Sequence, residues 1–204
     1  MSQFLETICL SNRRLLHLSY HQNRMDNTLQ HFYGSMSPMM NLFNEIKIPS
    51  NLPPSLFKCR VVYSNKIETI EFIPYEIRTI HSFECVEDKG IDYRFKRCDR
   101  SALNTLKASS HCDEIIIIRE GLVTDSSYAN LAFYDGDHWY TPDSPLLPGT
   151  CRARLLNEKT IKSTRIRVED LKKYKEFKLI NAMMDWEESP VYNIDKIEIS
   201  RFTQ

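Results

Sequence analysis

Four consecutive isoleucines at 115–118, flanked by Asp113-Glu114 and by Arg119-Glu120-Gly121, constrain this chain more than any other local pattern. An unbroken apolar run of that length, bounded by turn residues, reads as a buried strand. Glu120-Gly121 supplies a turn, and the chain re-enters through LVTD toward Asp125. The segment NLAFYDGDHWYTP reads as a hairpin, two aromatic-rich arms around Asp135-Gly136-Asp137.

Two further hairpins are expected upstream. FLETICLSN and RRLLHLSYH read as extended segments joined at SNRR, and FKCRVVYSNKIETIEFIPYEI folds back at SNK with Val61, Tyr63, Ile67 and Ile70 as core positions. Helical spacing appears in YHQNRMDNTLQHFYG, where Met25, Leu29 and Phe32 share a face and Gly34 is the stop. Shorter helices are expected in MSPMMNLFNEIKIPSNLPPSLF, in RSALNTLKASSH with Leu103 and Leu106 one turn apart, in GTCRARLLNEKT and in VEDLKKYKEF. KLINAMMDWEESPVYNID returns as strand and loop. The polar stretch HSFECVEDKGIDYRF, with Gly90, reads as a linker. The pattern predicts a mixed α/β (α+β) chain: an N-terminal α/β domain over 1–80, a linker over 81–92 and a C-terminal α/β domain over 93–204.

Composition narrows the function. Lys plus Arg is 27 and Asp plus Glu is 27, so the chain lacks the basic footprint of a nucleic-acid binder. No apolar run approaches membrane-spanning length and no signal pattern opens the chain, so a soluble, cytoplasmic protein is expected. Six cysteines (Cys9, Cys59, Cys85, Cys98, Cys112, Cys151) form no CxxC pair, and His17, His31, His81, His111 and His138 fall into no zinc-ligand motif. Reduced thiols and no metal site are the expectation.

The chemistry-bearing residues come in a fixed order. Lys96 lies in YRFKRCDRSAL, Asp125 and Asn130 in GLVTDSSYANLAFY, and Gly149, Thr150 and Cys151 in TPDSPLLPGTCRARLL. An amine, then a carboxylate, then a glycine-opened helix is what pyridoxal 5′-phosphate asks of a protein. The aldehyde needs the amine, the ring nitrogen an acid, and the phosphate a cup of donors.

These segments resemble the class IV, fold-type IV family of pyridoxal-phosphate enzymes, which contains branched-chain and D-amino-acid aminotransferases and aminodeoxychorismate lyase. The resemblance runs from FLETI to ESPV near residue 191. It implies two small domains with the cofactor in the cleft between them, a shortened N-terminus, a homodimer and a small-molecule amino substrate. It assigns the catalytic lysine to Lys96 and the ring-nitrogen carboxylate to Asp125, where the family normally has glutamate, with Asn130 following. Arg24 in HQNR matches the family's His-x-x-Arg, whose arginine reaches the phosphate. His21 in the same motif reads as a packed or capping residue. Gly149, Thr150 and Cys151 match the phosphate-binding helix start, with cysteine where the family has a hydroxyl.

Asn181 and Met184 in NAMM match the last cofactor-side loop. NAMM and KRCDRSAL are more similar to the lyase branch than to the aminotransferases. Arg100 and Arg60 are candidate substrate-side residues. Arg152, Arg154, Trp139 and Trp186 read as surface or packing residues. The implied reaction is release of pyruvate from 4-amino-4-deoxychorismate to give 4-aminobenzoate, a folate precursor. The alternatives are a branched-chain or D-amino-acid aminotransferase and a degenerate, non-catalytic relative.

Overall fold

The computed structural model describes residues 2–88 and 90–199 and divides into two compact units. The first comprises the residues up to Ile77 together with Phe95–Asp99, and the second comprises Arg78–Arg94 and the chain from Arg100 onward.

The first unit is an antiparallel sheet under one long helix. Strands β1 (Phe4–Ser11) and β2 (Arg14–Leu15) form the first hairpin. Asn12 and Arg13 both take positive φ at its tip, as a tight turn between twisted strands requires. Helix α1 (Leu18–Tyr33) ends at Gly34, whose φ of 57° no β-carbon opposes. A four-residue helix α2 (Leu42–Glu45), capped by the Asn41 side chain, is all the α-helix that forms between α1 and the next hairpin. Strands β3 (Phe57–Tyr63) and β4 (Ile67–Pro74) complete the order β2-β1-β3-β4.

Alternation along β1 and β3 sends Phe4, Ile8, Cys59, Val61 and Tyr63 into one cluster with Met25 and Leu29 of α1. Fully burying a side chain such as Met25 or Leu29 contributes about 1.5–3 kcal/mol. Ile67 and Ile70 pack against this cluster while partly buried. Phe32 differs from its expected core role. It is 40% exposed and lies edge-on to Phe95 with ring centres 5.0 Å apart.

Residues 95–98 dock on the edge of β1 beyond the reach of β2. Leu5 N donates to Lys96 O (2.9 Å), Cys98 N donates to Gln3 O (3.0 Å), and Phe4 bridges Arg97. The lysine segment therefore belongs to the first unit, not to the C-terminal half where chain order placed it.

The second unit holds two sheets. One, in the order β13-β5-β6-β7, comprises β5 (Phe83–Glu87), β6 (Glu114–Arg119), β7 (Leu122–Ser126) and β13 (Ile197–Glu198). The other, in the order β10-β9-β8-β11-β12, comprises β8 (Asn130–Tyr134), β9 (Trp139–Pro142), β10 (Lys162–Thr164), β11 (Glu176–Ile180) and β12 (Val191–Asn193). Helices α3 (Ser101–Ala108) and α4 (Thr150–Asn157) pack outside them.

The isoleucine run is buried on both faces. Ile116 and Ile118 join Val123, Leu131, Phe133, Phe177 and Leu179 between the sheets, whereas Ile115 and Ile117 meet Tyr93, Leu103 and Leu146 on the far side. Glu120 and Gly121, at φ 52° and 74°, make the turn between β6 and β7.

Two expectations are corrected here. Residues 81–92 do not form a linker, because Phe83–Glu87 is a strand parallel to β6 with Phe83 and Cys85 buried. Burial alternates along Phe83, Glu84, Cys85 and Val86, a strand period that the adjacent apolar pair Cys85-Val86 and the two glutamates concealed in the sequence. VEDLKKYKEF is not an α-helix either. Val168–Lys173 is a 3-10 helix, and Glu176 and Phe177 already belong to β11. Its apolar residues Val168, Leu171, Tyr174 and Phe177 recur every third position and all pack on one core, the spacing of a three-residue turn. Among the described residues, no helix is long and apolar enough to cross a membrane.

Candidate active site

In the first unit the chemistry gathers around a carboxylate that strand alternation turns inward. Glu6 follows Phe4 and precedes Ile8 on the buried face of β1 and is itself fully buried. Arg24 meets it with two hydrogen bonds, Nε to Oε1 at 2.8 Å and Nη2 to Oε2 at 2.6 Å. His21, one helical turn before Arg24, places Nδ1 2.6 Å from Oε2. Burial alone would raise the Glu6 pKa. The Arg24 charge and the hydrogen bonds from His21 and Arg24 outweigh it and hold the carboxyl at about 2.

His21 is pushed below its ordinary value, first by burial and further by the charges of Arg24 and Lys96, against the pull of Glu6. It is a packed residue, as its place in the motif suggested.

Lys96 stands beside this group, held by anchored neighbours. Phe95 stacks on His31 with ring centres 4.5 Å apart, and the Arg97 guanidinium lies 5.8 Å from the Phe4 ring and 5.5 Å from Phe32. Both flanking side chains are tied into the helix face of the sheet, so the backbone at Lys96 is positioned from both directions.

Glu6 is a buried, paired carboxylate that the motifs did not reveal. Its signal was a charge at an inward position of an apolar strand, which survives burial only when paired. Arg60 stands apart. It is opposite Thr7 while Glu6 is opposite Val61, so it occupies the other face of the sheet, where it pairs with Glu71 at 2.6 Å.

The second unit builds a closed polar network from β7, β8 and the loop before α4. Asn130 Nδ2 donates to Asp125 Oδ1 (2.6 Å) and to Leu147 O (2.9 Å), and Leu147 N donates to Asp125 Oδ2 (2.9 Å). Asp125 is buried, and burial pushes its carboxyl up to about 7 despite these hydrogen bonds and the charge of Arg152. Arg152 is itself tied to Pro142 O at 2.8 Å.

Gly149 caps α4 beside this network. A β-carbon there would lie 1.9 Å from Asn130 Oδ1, so only glycine fits. With a glycine N-cap, no side chain of that residue covers the helix start, and the first amides of an eight-residue helix are directed outward there.

Thr150 is buried at that start. Cys151 turns its thiol into an apolar cluster with Ala132, Leu155, Ile161 and Ile180, where burial raises its pKa. It therefore offers the site an amide and no side-chain donor. Asn181 follows Ile180, the residue opposite Asn130, and its Oδ1 accepts from Met183 N at 2.9 Å. Met184 packs in the core between the sheets. Arg100 donates to Ser127 O (2.7 Å) and to the Tyr93 hydroxyl (3.3 Å), bracing the turn two residues after Asp125. The Trp139 and Trp186 rings flank the Lys178 ammonium, 5.6 and 4.5 Å from their centres, consistent with packing roles.

The model of the family described as amino-transferase class IV matches residues 67–188. A protein of uncharacterised function from Haemophilus influenzae is 40% identical over 185 residues, which span 90% of this chain and 98% of that one. A crystal structure from Haemophilus somnus, of a protein proposed to be a 4-amino-4-deoxychorismate lyase, is 37% identical with a TM-score of 0.81, covering 90% of this chain and 97% of its own. A hypothetical aminotransferase from Mycobacterium tuberculosis, with α-ketoglutarate and pyridoxamine phosphate bound, gives a TM-score of 0.73 at 13% identity, over 97% of this chain and 81% of that one. That last likeness is one of fold.

Proposed function

We propose that this chain, which belongs to the class IV aminotransferase family of pyridoxal-phosphate enzymes, is a lyase that releases pyruvate from 4-amino-4-deoxychorismate and leaves 4-aminobenzoate. The observation that carries the reading is the Asp125 network. A buried carboxyl raised to about 7 gains by meeting a cation, and a protonated pyridine nitrogen is one. The glycine-capped start of α4, with Gly149 held against Asn130, fits a phosphate equally well. The 37% identity to the Haemophilus somnus protein supports the choice of lyase over aminotransferase, as do the NAMM and KRCDR segments.

When bound, the cofactor supplies an electron sink for negative charge developing at the substrate carbon that bears the amine. The protein's own residues do the rest. Lys96 would hold the cofactor through its Nζ, and the same amine would take the proton from that carbon. Asp125 would face the ring nitrogen as an anion, and Asn130 and Leu147 N keep both of its oxygens in place. In the second unit Thr150 and the amide of Cys151 would hold the phosphate, and in the first unit Glu6 fixes the plane of the Arg24 guanidinium, which the family's His-x-x-Arg pattern assigns to phosphate. The enolpyruvyl group leaves as pyruvate, so substrate divides into two products with no second substrate.

Incubating the purified protein with 4-amino-4-deoxychorismate and resolving the products tests this. Equal amounts of 4-aminobenzoate and pyruvate, without an added keto acid, are expected. Turnover only when a branched-chain or D-amino acid is offered with α-ketoglutarate would replace the lyase with an aminotransferase.

A further inference from the structure

We propose that Glu84, His111 and Cys112 form a binding site for a zinc-class divalent cation, with Glu198 as the outer carboxylate on the histidine, and that the ion fastens strand β13 to β5. One ligand atom from each of Glu84, His111 and Cys112 lies within 4.8 Å of the others. Zinc with bonds of about 2.0–2.3 Å places tetrahedral donors about 3.3–3.8 Å apart, so small side-chain rotations close the set. Glu84 Oε2 is already 3.7 Å from His111 Nδ1. On the other side of the ring, Nε2 lies 3.2 Å from Glu198 Oε2, the arrangement by which a carboxylate orients a metal-bound histidine.

The surroundings are organised for the same purpose. Ser110 Oγ donates to Glu84 Oε2 (2.6 Å) and accepts from Cys112 N (3.1 Å), linking two of the ligands through one hydroxyl. Glu84 and Glu198 are directly opposite each other on parallel neighbouring strands, where like charges repel unless a cation lies between them. Cys112 is buried, and its thiol sits against Ser82 and Glu198. One sulfur, one imidazole and one carboxylate suit zinc or cobalt, and the sulfur disfavours calcium and magnesium.

The pairing of β5 with β6, and not a linear motif, brings Glu84 beside the adjacent His111 and Cys112, and the register of β13 on β5 adds Glu198. β13 is two residues long at a sheet edge, and an ion bridging it to β5 and to the loop after α3 would secure it.

The test uses the untagged full-length protein carrying its cofactor, stripped of metal by chelation and titrated with Zn2+ by calorimetry. Co2+ difference spectra serve as a probe of thiolate ligation. One Zn2+ per chain, a raised melting temperature and a thiolate-to-cobalt band are expected. His111→Ala and Cys112→Ser should each weaken Zn2+ binding by at least about a hundredfold, and Glu198→Gln by about tenfold. The His111 side chain is 75% exposed, so its removal leaves the fold intact and its result stands without the buried cysteine. Failure of the wild type to bind Zn2+, or binding that survives both His111→Ala and Cys112→Ser, would overturn the site.

Discussion

Arg24 grips Glu6 through two parallel hydrogen bonds of 2.8 and 2.6 Å, and the carboxylate in that grip has no exposure to water. An arginine held in this way cannot swing, so its orientation toward an anion is set before any ligand arrives. Glu6→Gln keeps the shape but removes the charge, leaving the guanidinium partly buried and uncompensated. The expected cost is about 3–5 kcal/mol in urea unfolding. Affinity for pyridoxal phosphate should fall by about tenfold, measured by equilibrium titration. The Glu6 carboxyl is lowered from 4.5 to about 2, so its contribution is complete above 4.5 and is lost as pH falls through about 2.

Asp125 has the opposite sign. Its carboxyl is raised from 3.8 to about 7, so the cofactor-free folded chain keeps a proton that the unfolded chain releases near 3.8. The stability this group contributes is full below 3.8 and is lost as pH rises through about 7, with a slope of about 1.4 kcal/mol per pH between those two values. Asp125→Asn should abolish that slope in urea midpoints measured across this range, and should abolish turnover as well. Saturating wild-type protein with pyridoxal phosphate should flatten the slope too, because a cationic ring nitrogen favours the ionised acid.

Gly149→Ala drives a methyl group to 1.9 Å from Asn130 Oδ1. Backbone strain is not the issue, since Gly149 sits at φ −69°. The overpacking should cost about 1–3 kcal/mol. By shifting Asn130 it should also weaken cofactor binding, whereas an alanine elsewhere on α4, such as at Asn157, should leave affinity unchanged.

Cys151→Ser separates side chain from backbone. The hydroxyl would enter the cluster of Ala132, Leu155, Ile161 and Ile180 and cost about 1–3 kcal/mol in thermal or chemical unfolding. Cofactor affinity should stay near wild type, because the residue serves the phosphate through its amide.

Much of this was legible in the chain. The β6–β7 hairpin showed because its tip carries Glu120-Gly121, and the isoleucine run showed because it admits no exposed face. Of the residues picked out by their order, Asp125, Asn130 and Gly149 meet in the second unit. What escaped depends on partners distant in sequence. Glu6 looks like a surface charge until Arg24 and His21 arrive from α1. Phe83–Glu87 looks like a linker until β6 pairs with it. Lys96 looks C-terminal until β1 captures its backbone through Leu5. Local pattern cannot report a pairing whose two halves lie tens of residues apart.

The visible absorption spectrum reads out whether Lys96 carries the cofactor. Wild-type protein incubated with pyridoxal phosphate and freed of excess should retain an absorption band shifted from that of free cofactor. Lys96→Ala, shown by circular dichroism to be folded, should lack it. A spectrum of free cofactor alone in both proteins would contradict the account and leave a non-catalytic relative in its place.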